Sequence, residues 1–160
     1  KMSEKRKVLF ICLGNICRSP IAEAVFLKAI KENQTENEWT VDSAAIGSWH
    51  VGKLPDQRAQ SIMKKHSLPY NNRARQITTD DFYNFDYIFG MDDENISDLE
   101  DLAPNSANAK ILLLGEFDSE GERIIRDPYY DHGSDGFEKC YQQCVRCIEG
   151  FIQKVSKGEV

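Results

Sequence analysis

Short apolar, β-rich runs alternate along this chain with segments of helical spacing, and no other feature restricts its fold as tightly. Lys7 to Cys12, Trp39 to Ala45, Tyr87 to Met91 and Lys110 to Leu114 read as strands. Helical spacing predicts helices over Pro20 to about Lys31, Pro55 to about His66, Asp93 to about Leu102 and Ser134 to Val155. In the last of these Phe137, Tyr141, Cys144, Ile148, Phe151 and Val155 form one apolar stripe. Strands separated by helices pair in parallel, because the right-handed crossover returns each strand in the same direction. The expectation is an α/β fold with helices on both faces of the sheet, its ligands seated beyond the carboxyl ends of the strands. The loop after the first strand is therefore where chemistry is sought first.

Composition narrows the function classes. The chain has 160 residues, no internal repeat and no long Pro/Gly-rich linker, so one domain is expected. A hydrophobic content of 41% and a charged content of 29% suit a globular protein in water. The net charge of −6 argues against nucleic acid or a membrane surface as a partner. No run approaches the ~18 apolar residues of a membrane span. Lys1 to Lys7 is polar and basic with no apolar signal core behind it, so a cytoplasmic location is expected. Residues 1–6 read as a flexible start, with Lys1 ahead of Met2 taken as an addition to the natural chain. Five cysteines, an odd number, read as reduced thiols rather than a disulfide framework. Charge is segregated: from Val51 to Gln76 six basic residues stand against Asp56 alone, and from Ile77 to Asp101 there are nine acidic residues and no Lys or Arg. The basic stretch is read either as a solvated face or as a guide for an anionic substrate.

The first loop reads Cys12-Leu13-Gly14-Asn15-Ile16-Cys17-Arg18-Ser19-Pro20. Backbone N–H groups in a tight turn, closed by a helix N-terminus, make a concave anion site. Gly14 allows a positive φ and close backbone approach, and Asn15 tolerates the left-handed region better than most residues. Arg18 offers a planar fork for two phosphate oxygens. Ser19 suits an N-cap with Pro20 at the first helical position, and donation from Ser19 to a neighbouring sulfur is the competing role. A thiol near helix N-termini and cations loses its proton more readily, so Cys12 is the candidate nucleophile for attack on phosphorus. The loop itself supplies the positive charge, and no metal is required. The leaving oxygen needs a proton donor, and Asp127 in Arg126-Asp127-Pro128-Tyr129-Tyr130-Asp131 is the best one.

Taken together, Cys12-x5-Arg18-Ser19 after a strand and Asp127-Pro128-Tyr129-Tyr130 late in the chain closely resemble the low-molecular-weight protein tyrosine phosphatases. Ser19 to Ala24, Asp42-Ser43, Pro55 to Ala59, Ala74 to Gln76 and Met91-Asp92 extend the match over nearly the whole chain. The resemblance implies a single doubly wound domain over 7–157, with four parallel strands and a phosphate-binding loop after the first. It implies no cofactor and hydrolysis of phosphotyrosine and aryl phosphate monoesters through a phosphocysteine. The implied partners are phosphotyrosine-containing proteins, with inorganic phosphate as product. It assigns Cys12 as nucleophile, Arg18 as phosphate ligand, Asp127 as general acid, Ser19 as hydrogen-bond donor to the thiolate, and Asn15 as a strut supported by Ser43. Leu13, Gly14, Ile16 and Cys17 complete the loop. Trp49 and Tyr129 resemble the aromatic walls of the cleft, with His50 and Tyr130 beside them, and the two tyrosines are candidate phosphorylation sites. Two departures stand out: Asn72 where a His usually braces the loop Asn, and Ala44 in place of a frequent Gly.

Cys17 reads either as a loop residue whose backbone alone matters or as a thiol that forms a reversible disulfide with oxidised Cys12. Cys140, Cys144 and Cys147 fall at helical spacing and read as core, while His66 and His132 read as surface or capping residues. Two rivals are an arsenate reductase of the same architecture and a catalytically silent phosphotyrosine-binding module. The first lacks a relay cysteine between Cys17 and Cys140, and the second makes no use of the nucleophile and acid.

Overall fold

The computed structural model describes residues 4–160. Residues 1–3, including Lys1 and Met2, lie outside the described residues, and of the stretch expected to be flexible Arg6 is already in a strand. Four strands, β1 (Arg6–Cys12), β2 (Trp39–Ala45), β3 (Tyr87–Gly90) and β4 (Lys110–Leu113), form one sheet in the order β2-β1-β3-β4. Every pairing is parallel, with Val8 opposite Val41 on one side and Tyr87 on the other. The helices are α1 (Arg18–Glu32), α2 (Gln57–Lys65), α3 (Asp81–Asn84), α4 (Asp93–Leu102) and α5 (Asp135–Ser156). Two short 3-10 turns, Glu36–Glu38 and Leu114–Phe117, lead into β2 and out of β4.

Side chains of β1 alternate between two cores, as the pleat requires. Val8, Phe10 and Cys12 pack with buried residues of α1, α2 and α5, whereas Leu9 and Ile11 pack with Phe82 of α3 and Leu99 of α4. The first core is aromatic: Phe89, Phe26, Tyr87 and Trp39 surround Phe151 with ring centroids 4.9 to 6.3 Å away. Each fully buried Phe contributes about 2–3 kcal/mol of apolar transfer energy. The chain leaves β1 for β2 on one side and reaches β3 and β4 on the other. The order therefore reverses at β1, and the crevice opens at its carboxyl end.

Two helix starts and one further helix differ from expectation, and β1, β3, β4 and α5 have ends shifted by one residue. Helix α1 begins at Arg18 with Cys17 at the cap position, not at Pro20 with Ser19 as cap. Pro20 is tolerated there because the first-turn N–H groups have no intrahelical partner, and the Ser19 hydroxyl is engaged elsewhere. Helix α2 begins at Gln57 because Asp56 caps it, accepting from the Arg58 N–H at 2.9 Å. Helix α3 was not expected, since four residues are too few to establish a period.

Candidate active site

Strand β1 delivers Cys12, 3% exposed, to the carboxyl edge of the sheet between β2 and β3. The loop that follows makes its left-handed turn at Asn15, φ 57°. Gly14, also able to make that turn, has no positive φ. It provides room, because an added Cβ would lie 2.8 Å from His50 Cδ2. Asn15 is buried and fully used: its amide donates to Ser19 Oγ at 2.7 Å and to Ser43 Oγ at 2.9 Å, and its carbonyl accepts from the Arg75 N–H at 3.1 Å. One side chain thus ties the loop to α1, β2 and the segment that bridges to the end of β2.

The direction of these bonds decides what reaches the sulfur. Ser19 Oγ accepts from Asn15, so its own hydrogen is left for Cys12 Sγ, 3.1 Å away. The Ser19 N–H adds a second donor at 3.4 Å. Two donors converge on one sulfur.

Arg18 is 2% exposed and held edge-on. Its Nη1 donates to Asp92 Oδ2 at 2.7 Å and to the Ile125 carbonyl at 2.9 Å, and its Nη2 lies 3.5 Å from Asp127 Oδ2. No protein atom accepts from its buried Nε. Burial works against the charge of the guanidinium, but Cys12, Asp127 and Asp92 outweigh it and the group is held more firmly protonated than usual. The Nε and Nη2 edge is thus the one turned to an incoming anion.

A second layer stands behind the loop. Ser43 Oγ donates to Glu23 Oε1 at 2.6 Å, and the same carboxylate accepts from the Tyr70 hydroxyl and the Asn72 amide, each at 2.6 Å. Asn72 therefore braces Asn15 through Glu23 and Ser43. Glu23 is 1% exposed, and burial raises its carboxyl above the usual range against the pull of its donors. Burial, then the charge of Glu23, pushes the Tyr70 phenol up. Burial, followed by Cys12, Asp56 and Asp127, also raises the Cys17 thiol.

Asp127 closes the far side of a cleft of about 320 Å³ that also holds Cys12, Cys17 and Ile16. One of its oxygens accepts from the Tyr129 N–H at 3.1 Å, a two-residue turn stiffened by Pro128. The rim is aromatic and open: Trp49 is 66% exposed and Tyr130 82%, while Tyr129 is half-buried with its ring 5.9 Å from that of His50. Trp49 lies over Gly47, where any Cβ would fall inside the indole.

The site residues expected from the sequence thus line the cleft or stand behind its loop, whereas Asn72 reaches it only through Glu23, and Cys140, Cys144, Cys147 and His66 lie elsewhere. Asp92, Glu23, Tyr70 and Arg58 were not given roles from the sequence. Asp92 carries a legible signal, since one of its oxygens caps α4 through the Asn95 N–H at 2.8 Å, but the other is free to take Arg18. Half of the basic stretch is spent in ion pairs, Arg75 with Asp42 and Asp81, Arg58 with Asp56 and Lys65 with Glu138, while Lys53, Lys64 and Arg73 stay exposed. Cys140, Cys144 and Cys147 are buried in α5. Among the described residues no cluster of His, Cys, Asp or Glu could hold a metal, and no helix is long and apolar enough to cross a membrane.

Comparison with known proteins gives the same outline. The family described as "Low molecular weight phosphotyrosine protein phosphatase" matches residues 7–160. A Drosophila melanogaster relative, "Low molecular weight phosphotyrosine protein phosphatase 1", is 53% identical over 150 residues, covering 93% of this chain and 96% of its own. A protein tyrosine phosphatase from Entamoeba histolytica, solved with Hepes in its active site, superposes with a TM-score of 0.93 at 36% identity, covering 98% of this chain and all of its own. The Drosophila arginine phosphatase DARP superposes at 0.89 with 42% identity, covering 93% and 97%.

Proposed function

The chain belongs to the low molecular weight phosphotyrosine protein phosphatases, and from that membership we propose how its own residues carry out the hydrolysis. A phosphotyrosine side chain enters between Trp49 and the tyrosines Tyr129 and Tyr130. Its phosphate oxygens are taken by the loop amides of residues 13–18 and by Arg18 Nε and Nη2. The Cys12 thiolate attacks phosphorus in line, the P–O bond to the ring breaks, and Asp127 gives its proton to the departing phenolate oxygen. Asp127 then takes a proton from water as it attacks the phosphocysteine. The S–P bond breaks, and inorganic phosphate leaves while Ser19 stabilises the returning thiolate. The observation that carries this reading is the sulfur of Cys12 under two Ser19 donors, in one cleft with Asp127, whose carboxylate lies 3.5 Å from Arg18 Nη2.

The test is p-nitrophenyl phosphate hydrolysis with EDTA present. Cys12→Ser should abolish turnover, and Asp127→Ala should lower it roughly 10²–10⁴-fold. Full activity in Cys12→Ser would end the nucleophile assignment, and an inert wild type that binds phosphotyrosine would make the chain a binding module. Because one similar structure is named an arginine phosphatase, phosphoarginine is the competing substrate. The aromatic rim favours a ring, so a phosphotyrosine peptide should turn over faster than a phosphoarginine peptide. An arsenate reductase is disfavoured, because the remaining thiols are fixed in the core of α5.

Cys17 lines the same cleft as Cys12. In this reading a peroxide oxidises Cys12 to the sulfenic acid, and the Cys17 thiol displaces water to form a disulfide that reductant reopens. Equal recovery of peroxide-treated Cys17→Ser and wild type in dithiothreitol would refute it. The location proposed for the chain is the cytoplasm, on the basis of its reduced thiols.

A further inference from the structure

Arg58 does not line the cleft, yet it joins the two loops that do. The Asp56 N–H donates to the Ile16 carbonyl at 2.8 Å, which ties the start of α2 to the Cys12 loop. The Asp56 carboxylate holds the Arg58 guanidinium at two points, Nε to Oδ1 at 3.0 Å and Nη2 to Oδ2 at 3.1 Å. The remaining hydrogens go to main-chain carbonyls just beyond Asp127: Nη2 to Tyr129 at 2.8 Å, and Nη1 to Asp131 at 2.6 Å and Gly133 at 3.3 Å. All five N–H donors of the fork are therefore used. The plane of the guanidinium also lies over the Phe137 ring at 4.5 Å, on the first turn of α5. Such an arrangement is out of reach of a lysine, whose single ammonium cannot address two carboxylate oxygens and three carbonyls at once. It also leaves nothing with which Arg58 could bind a phosphate.

We propose that Arg58 is a positioning residue for the general acid, registering the 127–133 segment against the Cys12 loop through Asp56 so that the Asp127 carboxyl meets the leaving oxygen. The turn that aims Asp127 is closed by the Tyr129 N–H, and the carbonyl of that same residue is the one Arg58 grips. Loss of the grip loosens Tyr129, whose N–H on the adjoining peptide orients the acid, while leaving Cys12, Ser19, Asn15 and Arg18 untouched. The role rests on the assignment of Asp127 as acid, and the experiment separates the two.

The experiment compares kcat/KM on p-nitrophenyl phosphate, whose leaving oxygen is weakly basic, with phenyl phosphate, whose leaving oxygen needs the proton. Wild type, Asp127→Ala, Arg58→Lys, Arg58→Met and Asp127→Ala with Arg58→Met are measured. Both Arg58 variants should lose on the order of 10²-fold on phenyl phosphate and less than about tenfold on p-nitrophenyl phosphate. Inhibition by inorganic phosphate should stay within about twofold, because the anion-binding loop is unaltered. In the Asp127→Ala background Arg58→Met should cost nothing further. An equal loss on both esters, or no loss, while Asp127→Ala remains selective for the basic leaving group, would overturn the positioning role alone. If Asp127→Ala itself affects both esters equally, the acid assignment falls and the positioning role with it. Should Arg58→Met fail to fold, Arg58→Lys keeps the charge and the stem over Phe137 and gives the same reading.

Discussion

Glu23 ends the chain of hydrogen bonds that begins at Asn15, and it does so with three neutral donors and no cation. A cation facing a buried carboxylate adds a charge–charge attraction that neutral donors lack. Asn72→His is therefore expected to raise the thermal midpoint by an amount equivalent to about 1 kcal/mol in weakly acidic buffer. An imidazole facing a carboxylate has a raised pKa in the folded state. Its contribution is then full below the pKa of a free histidine and is lost as pH rises through the folded value. Melting curves across that range decide the matter: a shift that ignores pH, or none, would show that Glu23 does not need the charge. Ser19 makes a related point. Its position suggested a helix cap, and its environment instead uses its one hydrogen on sulfur.

At the scale of elements, α5 is pinned to α2 by one acidic side chain. Glu138 accepts from His66 at 3.0 Å, from Lys65 at 2.9 Å and from Gln142 at 2.8 Å. The His66 bond foremost holds its carboxyl down at about 2, below the usual 4.5. A depressed carboxyl stabilises the fold above its ordinary value and loses that contribution as pH falls from about 4.5 through about 2. Glu138→Gln should therefore flatten the fall in urea midpoint between about pH 5 and pH 3 relative to wild type; parallel curves would discard the link. His66 also stacks on Tyr141 at 3.7 Å, so the capping residue expected at the end of α2 is an interhelical contact as well. Elements with a clear local period were legible in the sequence: β2 and α4 have their expected ends, and the apolar stripe of α5 is buried except at Tyr141, which is half-buried. The Cys12–Ser19 loop was legible for the same reason, being contiguous. Asp92, Glu23, Tyr70 and Arg58 were not, because the partners that bring them to the site lie 20 to 75 residues away in sequence and only the parallel crossovers bring them together.

For the molecule as a whole, the two-sided sheet leaves one edge of β1 as the meeting place of nearly everything that matters, and it hides all five cysteines. Cys12 and Cys17 are 3% exposed but border the cleft, whereas Cys140, Cys144 and Cys147 are at or below 1% in the core under the sheet. Burial pushes the Cys147 thiol up to about 12, so it has almost no thiolate to offer at neutral pH while the helix is packed. Small disulfide reagents should accordingly titrate this protein in two phases. Cys12 reacts first and is protected by inorganic phosphate, and Cys17, whose thiol burial raises, joins the slow phase. The helix thiols follow at a rate set by excursions that open the core, accelerating with urea as unfolding does. A single fast phase counting five thiols would mean that α5 detaches without global unfolding. The three thiols thus act as a clock wound into the fold, and air oxidation after each excursion would turn a reversible opening into a permanent one, making reductant rather than temperature the first determinant of how long the protein survives on the bench.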